Sequence, residues 1–443
     1  MPTGLRVLVA CGLGLVTASA CGADWSQFRG PNGNSVVEGA KHPVEWSEES
    51  GVAWKVKIPG RGWSQPVVAG DKVFVTTAVA ENEEPPRRFD GGLPFGARNA
   101  TQDVYQWKLF CLSADTGKIL WEDTPYEGKP AQPKHRGNTY ASETPVTDGE
   151  RVIASFGVKG VVCYDLAGKR QWEKSLGGYP MQANWGTGSS PIIDGDSVFL
   201  QCDNQRESFL AALDTKTGVE RWRVGRDEKS NWSTPYLWKN KLRTELVVAG
   251  GKMMRSYDPA TGKLLWEMAG SGRTSVSPVG DAELLFVDSV NGFQGSPGRF
   301  AAIRAGASGD ISLPDDKTTS SKDVAWSLMF KSYRNSSPLL YKDCLYMLEQ
   351  SAGIVRCFNA QTGQRHYQQR LPDSPGFAAS PWANDGKVFL LDDAGTTVVL
   401  ESGPQFKLLA SNRLSDEIFW SSPAVAGDQL LIRGMRHLYC VRR

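Results

Sequence analysis

A hairpin motif that recurs along the chain constrains the fold more than any other feature of this sequence. In its clearest copy, residues 210–225 read LAALDTKTGVERWRVG: an apolar run, an Asp/Gly turn, and Trp222 four residues after Gly218. This order is typical of a β-hairpin whose glycine supplies a positive φ in the turn. The same offset occurs five times, which predicts that each repeat docks its aromatic ring against a neighbouring repeat. The aromatic residues at that offset are Trp121, Trp172, Trp222, Trp266 and Tyr367.

A second motif, a Ser- or Thr-rich approach to a proline, sets the length of the repeat. Five of the seven spacings between successive prolines are 42–46 residues, the length of a four-stranded propeller blade. The two longer spacings contain insertions, at about 80–106 and 291–325, which are rich in Gly, Pro and charge and which we predict to be loops. The eight prolines are Pro66, Pro145, Pro191, Pro235, Pro278, Pro338, Pro381 and Pro423.

The two ends of the chain predict how the ring closes. The eighth repeat stops at Arg443 after a third strand, whereas residues 52–58, VAWKVKI, form a strand without a repeat of their own. We therefore predict an all-β, eight-bladed propeller of four-stranded antiparallel blades over residues 51–443, in which the N-terminal strand completes the last blade and Trp54 joins the docking residues. Residues 24–50 are expected to be an irregular lead-in, and repeats five and seven lack the Trp motif.

Residues 1–23 have the pattern of a secretory signal peptide. One arginine, Arg6, precedes an apolar run from Val7 to Val16 and then small residues, and the run is too short for a membrane span. Cleavage is expected after Ala20 or residue 23, which predicts a periplasmic or secreted, bacterial-type protein. Cys21 leaves open a lipid anchor, although Ala18 stands where such a signal usually has leucine.

Composition and motifs exclude several classes of function. The net charge of +2 and the absence of a basic stripe argue against nucleic acid as a partner. The four histidines show no zinc spacing, and neither a GxSxG nor a phosphate-binding loop is present. Cysteines in the strands before the Asp/Gly turns suit small buried residues. Cys344 and Cys357, on adjacent predicted strands, are the one pair for which we consider a disulfide.

The turn motif resembles the tryptophan-docking motif of the PQQ-repeat β-propellers. Asp214, Thr217, Gly218 and Trp222 match it position by position, and residues 258–266 match it again. The first copy has Ser113 at the Asp position, and the copy at residues 165–172 is one residue short. The resemblance covers nearly the whole mature chain and implies the fold. Two groups of PQQ-repeat propellers share this motif, the BamB-like outer-membrane assembly lipoproteins and the quinoprotein dehydrogenases. The chain resembles the BamB-like group more than the dehydrogenases.

A quinoprotein dehydrogenase would imply pyrroloquinoline quinone (PQQ) and Ca²⁺, together with a disulfide between neighbouring cysteines, and this sequence has no adjacent pair. Calcium needs several converging oxygen ligands. Glu143 and Asn184 precede two of the repeat prolines, and Trp185, Trp232 or Trp420 would offer a stacking face. One carboxylate without a second makes a poor calcium site, so we expect no cofactor, with PQQ and Ca²⁺ bound only under the dehydrogenase alternative.

The loops that precede each Ser-x-Pro surround one mouth of a propeller channel, and aromatic residues and arginine are enriched in binding hot spots. We therefore expect a monomeric, non-catalytic binding or scaffold module for a protein, peptide or glycan. The alternative is a PQQ- and Ca²⁺-dependent dehydrogenase. The candidate residues at this mouth are Arg61, Trp63, Asn138, Tyr140, Glu143, Asn184, Trp185, Trp232, Arg273, Arg334 and Trp420.

Overall fold

The computed structural model describes residues 24–82, 102–270, 272, 274–288, 297–330, 334–414 and 416–443. It confirms the predicted fold class, because eight antiparallel sheets of four blade strands follow one another along the chain. The predicted signal peptide, Cys21, most of the first insertion and Arg273 lie outside the described residues. No helix in the described ranges is long and apolar enough to cross a membrane.

The first four blades are numbered in chain order, with the first strand of each blade innermost. The strands of blade 1 are Val67–Ala69, Lys72–Val79, Tyr105–Ser113 and Ile119–Gly128; those of blade 2 are Val146–Thr147, Arg151–Ser155, Val161–Asp165 and Arg170–Lys174; those of blade 3 are Ile192–Asp194, Ser197–Cys202, Ser208–Asp214 and Glu220–Arg226; those of blade 4 are Tyr236–Lys239, Thr244–Val248, Met253–Tyr257 and Leu264–Ala269. Short 3₁₀ turns occupy Gly157–Lys159 and Gln182–Asn184.

The remaining four blades complete the ring. The strands of blade 5 are Val279–Gly280, Leu284–Asp288, Gly298–Arg304 and Val324–Phe330; those of blade 6 are Leu339–Tyr341, Cys344–Leu348, Ile354–Asn359 and Arg365–Arg370; those of blade 7 are Trp382–Asn384, Lys387–Leu391, Thr396–Glu401 and Leu408–Arg413; those of blade 8 are Ala424–Ala426, Gln429–Arg433, His437–Val441 and Val52–Lys57. Two further short strands, Val36–Val37 and Gly309–Asp310, pair in parallel with blades 7 and 4.

The ring closes as predicted through the N-terminal strand. Val52–Lys57 pairs antiparallel with His437–Val441, and its burial alternates between half-buried and exposed residues along the strand. Without this strand, the C-terminal strand would present an open row of backbone hydrogen-bonding groups.

The residue before each repeat proline links neighbouring blades around the channel. The backbone N–H of Thr144 donates to the hydroxyl of Ser190, and the N–H of Ser190 donates to the hydroxyl of Thr234. The same bond recurs from Gln65 in blade 1 to Ser422 in blade 8, at 2.9–3.1 Å. The Ser/Thr preference before seven of the eight prolines therefore reflects a buried series of seven amide-to-hydroxyl bonds around the ring, to which Gln65 contributes only its N–H. Its members are Gln65, Thr144, Ser190, Thr234, Ser277, Ser337, Ser380 and Ser422.

Five tryptophans on fourth strands contact the turn of the next blade in one common geometry. Each indole N–H donates to a turn carbonyl at 2.9–3.2 Å, and each ring lies against the turn glycine so closely that a Cβ there would fall within 2.8 Å of it. The pairs of tryptophan and glycine are Trp54–Gly117, Trp121–Gly168, Trp172–Gly218, Trp222–Gly262 and Trp326–Gly363. The sequence motif missed Trp326.

The structure of blade 5 explains why the motif did not find Trp326. It also shows that the prediction of a loop over residues 291–325 was wrong. Gly298–Arg304 is the third strand of the blade, and the extra residues follow it, inside the turn that leads to Trp326. Part of this extension, Gly309–Asp310, pairs with the outer strand of blade 4. Trp266 on that strand departs from the common geometry, because its indole N–H donates to the Glu245 carboxylate of its own blade at 2.7 Å.

Two other predicted features have simple outcomes. Tyr367 packs edge-on against Phe406 of blade 7, with ring centroids 5.7 Å apart. Cys344 and Cys357 lie on adjacent strands as buried free thiols, and the Cys357 thiol lowers the pKa of Cys344.

The lead-in, residues 24–50, crosses the end of the channel opposite the loops that precede the prolines. Trp25 bridges to Val68 of blade 1, and Val36–Val37 pairs with the inner strand of blade 7. Between these points the side chain of Arg29 donates to the carbonyls of Pro278 and Pro338. The lead-in therefore ties together inner strands from both sides of the ring and covers one channel mouth.

Candidate binding face at the channel mouth

The loops that precede the first strands bring Trp63 and Trp420 together across the closure of the ring. Their ring centroids are 5.1 Å apart at an interplanar angle of 45°. The Trp63 indole N–H donates to the Gly137 carbonyl at 3.0 Å, and the Trp420 ring lies over Gly137. The loops ahead of blades 8, 1 and 2 are thereby fixed to one another.

A second aromatic pair continues from the same loop. The rings of Trp185 and Trp232 are 5.5 Å apart, and the His135 ring is 6.2 Å from Trp185. Asn138 holds the Trp185 loop, because its side-chain amide donates to the carbonyls of Trp185 and Thr187 at 2.8 and 2.9 Å. We call Trp420, Trp63, His135, Trp185 and Trp232 the aromatic arc. All five residues are half-buried.

The arc is held by backbone rather than by flexible side chains. The Trp232 indole N–H donates to the Gly186 carbonyl at 2.7 Å, and the backbone N–H of Trp63 donates to the Ala141 carbonyl at 3.0 Å. Because these contacts are made in the free protein, little conformational entropy remains to be lost when a ligand stacks on the rings.

Glu143 lies beneath the arc as a buried carboxylate. Its side chain is 2% exposed, and its Oε1 has no hydrogen-bond partner among the described residues. Burial raises the pKa of Glu143, and the neighbouring Thr187 hydroxyl opposes that rise in pKa. This environment favours the protonated form of the Glu143 carboxyl over the charged form, because an unpaired buried charge is costly.

Asp203 lines the same small cavity as Glu143, together with Tyr179 and Cys202. The Arg226 guanidinium binds both oxygens of Asp203, at 2.8 and 3.1 Å, and this ion pair is fully buried. Sequence reasoning missed both residues, since neither belongs to a repeat motif. The one signal was a charged residue directly after an apolar strand, at the end of Ser197–Cys202.

The other predicted residues have separate surroundings. Arg334 is buried and paired with Asp288, and the Tyr140 hydroxyl donates to the Gln132 carbonyl. Asn184 is exposed with a positive φ of 57°, and Arg61 is half-buried with its backbone paired to Ala78. The structure thus groups Trp63, Trp185, Trp232 and Trp420, with Asn138 and the buried Glu143 beside them. Arg61, Tyr140, Asn184 and Arg334 are not part of the arc.

The residues present do not fit a calcium–quinone site. Arg226 already holds Asp203, so the cavity beside Glu143 offers a single unpaired carboxylate oxygen, whereas Ca²⁺ takes about six to eight oxygen ligands. No group of three or more His, Cys, Asp or Glu side chains comes together as a metal site within the described ranges.

Eight four-stranded blades, repeated Asp/Gly turns and docked tryptophans define an eight-bladed propeller of the PQQ-repeat class. The family model described as outer membrane protein assembly factor BamB matches residues 81–231 and 206–433. The chain therefore belongs to this family.

One solved structure supports the fold. BamB from Moraxella catarrhalis is 11% identical, with a TM-score of 0.57, over 88% of this chain and 99% of that one. A europium-containing methanol dehydrogenase is 13% identical, with a TM-score of 0.49, over 94% of this chain and 90% of that one. No curated protein matches the sequence.

Proposed function

We propose that this protein is a periplasmic or secreted, non-catalytic binding module whose aromatic arc binds a protein, peptide or glycan. The observation that carries the proposal is the arc itself: four tryptophans and a histidine from five loops form two groups of contacting rings around one channel mouth. Trp63 contacts Trp420, Trp185 contacts His135 and Trp232, and the loop of Gly137 joins the two groups. Tryptophan is the residue most typical of binding hot spots, since it offers a large rigid face at low entropic cost.

The closed opposite mouth adds support. The lead-in covers that end of the channel, so the open approach to the inner strands is from the side of the arc. Membership in a family described as an outer membrane assembly factor favours a scaffold role in the cell envelope. Fold alone does not give function, so the arc and not the family name supplies the site.

Binding to peptide and glycan arrays tests the proposal. Wild-type protein should bind a restricted set of ligands, and Trp185→Ala should weaken that binding by about tenfold or more, the effect of losing one hot-spot ring. Leu408→Ala is the matched control, because Leu408 is 54% exposed on the outer strand of blade 7. Equal loss in both variants, or none in Trp185→Ala, would reject the arc as the binding surface.

Incubation with PQQ and Ca²⁺, followed by gel filtration and a dye-linked alcohol assay, tests the dehydrogenase alternative. We expect no quinone to stay with the protein, since the donor set around Glu143 is incomplete. Stoichiometric retention of quinone with turnover would overturn the proposal of a non-catalytic module.

A further inference from the structure

The segments around the aromatic arc on blades 1 and 2 carry more positive than negative charge. These segments are residues 59–66, 129–145 and 156–160, all at the end of the channel where the arc lies. Their one acidic side chain is Glu143, which is buried in an environment that favours its protonated form. A ligand that approaches this part of the arc therefore meets a positive field. The basic side chains are Arg61, Lys129, Lys134, Arg136 and Lys159.

Lys134 and Lys159 flank the loop that joins the two ring groups of the arc. The Nζ atom of Lys159 is 4.4 Å from the ring centroid of Trp107, whose indole N–H donates to the Tyr140 carbonyl of that loop. The Nζ atom of Lys134 is 5.3 Å from the ring centroid of Tyr140 itself. Lys134 also lies against Gly186 of the neighbouring arc loop. Both ammonium groups therefore belong to the surroundings of the arc.

Three of the cations have no carboxylate partner among the described residues. Arg61 and Arg136 form no ion pair there, and Arg136 lies in the loop that joins the two ring groups. Burial lowers the pKa of Lys159, and no carboxylate opposes that effect. By contrast, the exposed Lys239 and Lys241 on the opposite side of blade 4 are each paired with an acidic side chain. The positive charges of Arg61, Arg136 and Lys159 are thus available to attract an anionic ligand.

Three of the four tryptophans in the arc offer a ligand carbon surface rather than hydrogen-bond donors. The indole N–H groups of Trp63 and Trp232 donate to backbone carbonyls, and the indole nitrogen of Trp420 is buried. The backbone N–H of Trp63 is also engaged, by the Ala141 carbonyl. A peptide main chain stacked here would lose hydrogen bonds to water without gaining replacements. A pyranose ring has C–H faces that can stack on indole, while the hydroxyls at its rim stay in water.

We propose that the aromatic arc binds a glycan that carries carboxylates, with its sugar rings on the tryptophans and its carboxylates beside the cations of blades 1 and 2. The proposal rests on the function proposed above and narrows its ligand to an acidic polysaccharide. The cations act as a shared field, so the loss of a single one weakens binding without abolishing it.

Calorimetric titration of the full chain with hexagalacturonate tests this inference. The methyl ester of the same oligosaccharide is the uncharged comparison, and hexaglutamate is the acidic peptide. We expect hexagalacturonate to bind about tenfold or more tightly than either comparison. Its affinity should fall as the NaCl concentration is raised, because salt screens exposed charges, whereas binding of the methyl ester should not change.

A pair of lysine substitutions tests the location of the charge. Lys134→Gln combined with Lys159→Gln should weaken the binding of hexagalacturonate by about threefold to tenfold. Lys239→Gln combined with Lys241→Gln is the matched control, because it removes two charges on the opposite side of blade 4 and should leave the affinity unchanged. The salt dependence of the wild type tests the same charge effect if a variant fails to fold.

The inference is overturned if hexagalacturonate does not bind, if its methyl ester or hexaglutamate binds as tightly, or if the two lysine pairs have equal effects. The arrays separate this failure from that of the proposed function. Binding of a neutral glycan or a peptide that Trp185→Ala weakens would retain the arc as a binding surface and reject the carboxylate. An arc that binds no ligand on the arrays would reject both proposals.

Discussion

The backbone N–H of Thr144 donates a 2.9 Å hydrogen bond to the hydroxyl of Ser190 in the next blade. Both residues are buried, with exposed fractions of 2% and 3%, and both immediately precede a repeat proline. Seven such bonds join the eight blades, so the Ser-x-Pro motif holds the ring together at its inner edge while the tryptophans hold it near the outer edge.

Removing one hydroxyl from this ring should destabilise the protein measurably. Ser190→Ala leaves the buried N–H of Thr144 without an acceptor, which should lower the free energy of unfolding by about 1–3 kcal/mol. Ser190→Thr should cost much less, since Thr144 and Thr234 already fill the same role in blades 2 and 4. Urea unfolding of both variants measures the difference, and equal stabilities would contradict the role of the hydroxyl ring.

The tryptophan that the motif missed should carry as much stability as those it found. Trp326 is 7% exposed, and its indole N–H donates to the Ala360 carbonyl at 2.9 Å. Trp326→Ala should lower the free energy of unfolding by about 3–5 kcal/mol, the usual effect of truncating a buried tryptophan. Trp326→Phe keeps the ring against Gly363 and should lose about 1 kcal/mol for the hydrogen bond.

Denaturant unfolding of these two variants separates packing from hydrogen bonding. If Trp326→Ala unfolds at the wild-type midpoint, the contact between blades 5 and 6 does not stabilise the ring.

The buried carboxyl of Glu143 predicts a pH-dependent stability. Because burial raises its pKa in the folded state, the folded protein holds this proton more tightly than the unfolded chain does. The contribution of Glu143 to folding stability is therefore complete below the pKa that this carboxyl has in the unfolded chain. It is lost as pH rises through the raised pKa of the folded state. Glu143→Gln should be more stable than the wild type at pH 8, with the gap closing towards pH 4.

Thermal unfolding across this pH range measures that gap. Glu150→Gln, in the exposed turn between the first two strands of blade 2, is a matched control in which no buried group changes. If the stability of the wild type instead rises relative to that of Glu143→Gln as pH rises, the charged form of Glu143 is the stabilised one.

The strand that closes the ring can be tested with a pair of prolines. The backbone N–H of Ile58 donates to the Arg436 carbonyl of the C-terminal segment. Backbone N–H groups point alternately to the two sides of an antiparallel strand. The N–H of Val56 therefore faces the C-terminal strand, and the N–H of Lys55 faces outward. Val56→Pro should lower the free energy of unfolding by about 1–3 kcal/mol and promote self-association through the freed edge. Lys55→Pro should be much milder. Light scattering and urea unfolding measure both effects, and equal behaviour of the two variants would argue against closure by this strand.

The sequence predicted the ring because its signals are local. The spacing of the prolines and the Asp/Gly turns are both set within one blade, and the orphan strand with Trp54 had one open place to pair. Trp326 was missed because the extension after Arg304 separates it from its turn. Trp266 fits the motif, yet its indole N–H donates to Glu245 on the second strand of the same blade, and no turn motif contains that information.

The candidate site was predictable as a set of residues but not as a geometry. Trp63 and Trp420 lie near opposite ends of the chain, and ring closure is what brings them into contact. Arg334 belongs to the same loop positions, but Asp288 binds it inside the protein. Hydrogen bonds from Trp63 to Gly137 and from Trp232 to Gly186 turn separate loops into one arc, and such long-range pairing leaves no trace in the sequence pattern.

Site-specific photo-crosslinking in cells that produce the full chain tests the central claim, that ligands bind at the aromatic arc. A photoreactive amino acid in place of Arg136, between His135 and Gly137 of the arc loop, should give a discrete adduct. The same group in place of Leu408, exposed on the outer strand of blade 7, should give none, and Trp185→Ala should remove the adduct at position 136. No adduct at position 136, or one that Trp185→Ala leaves unchanged, would contradict the claim.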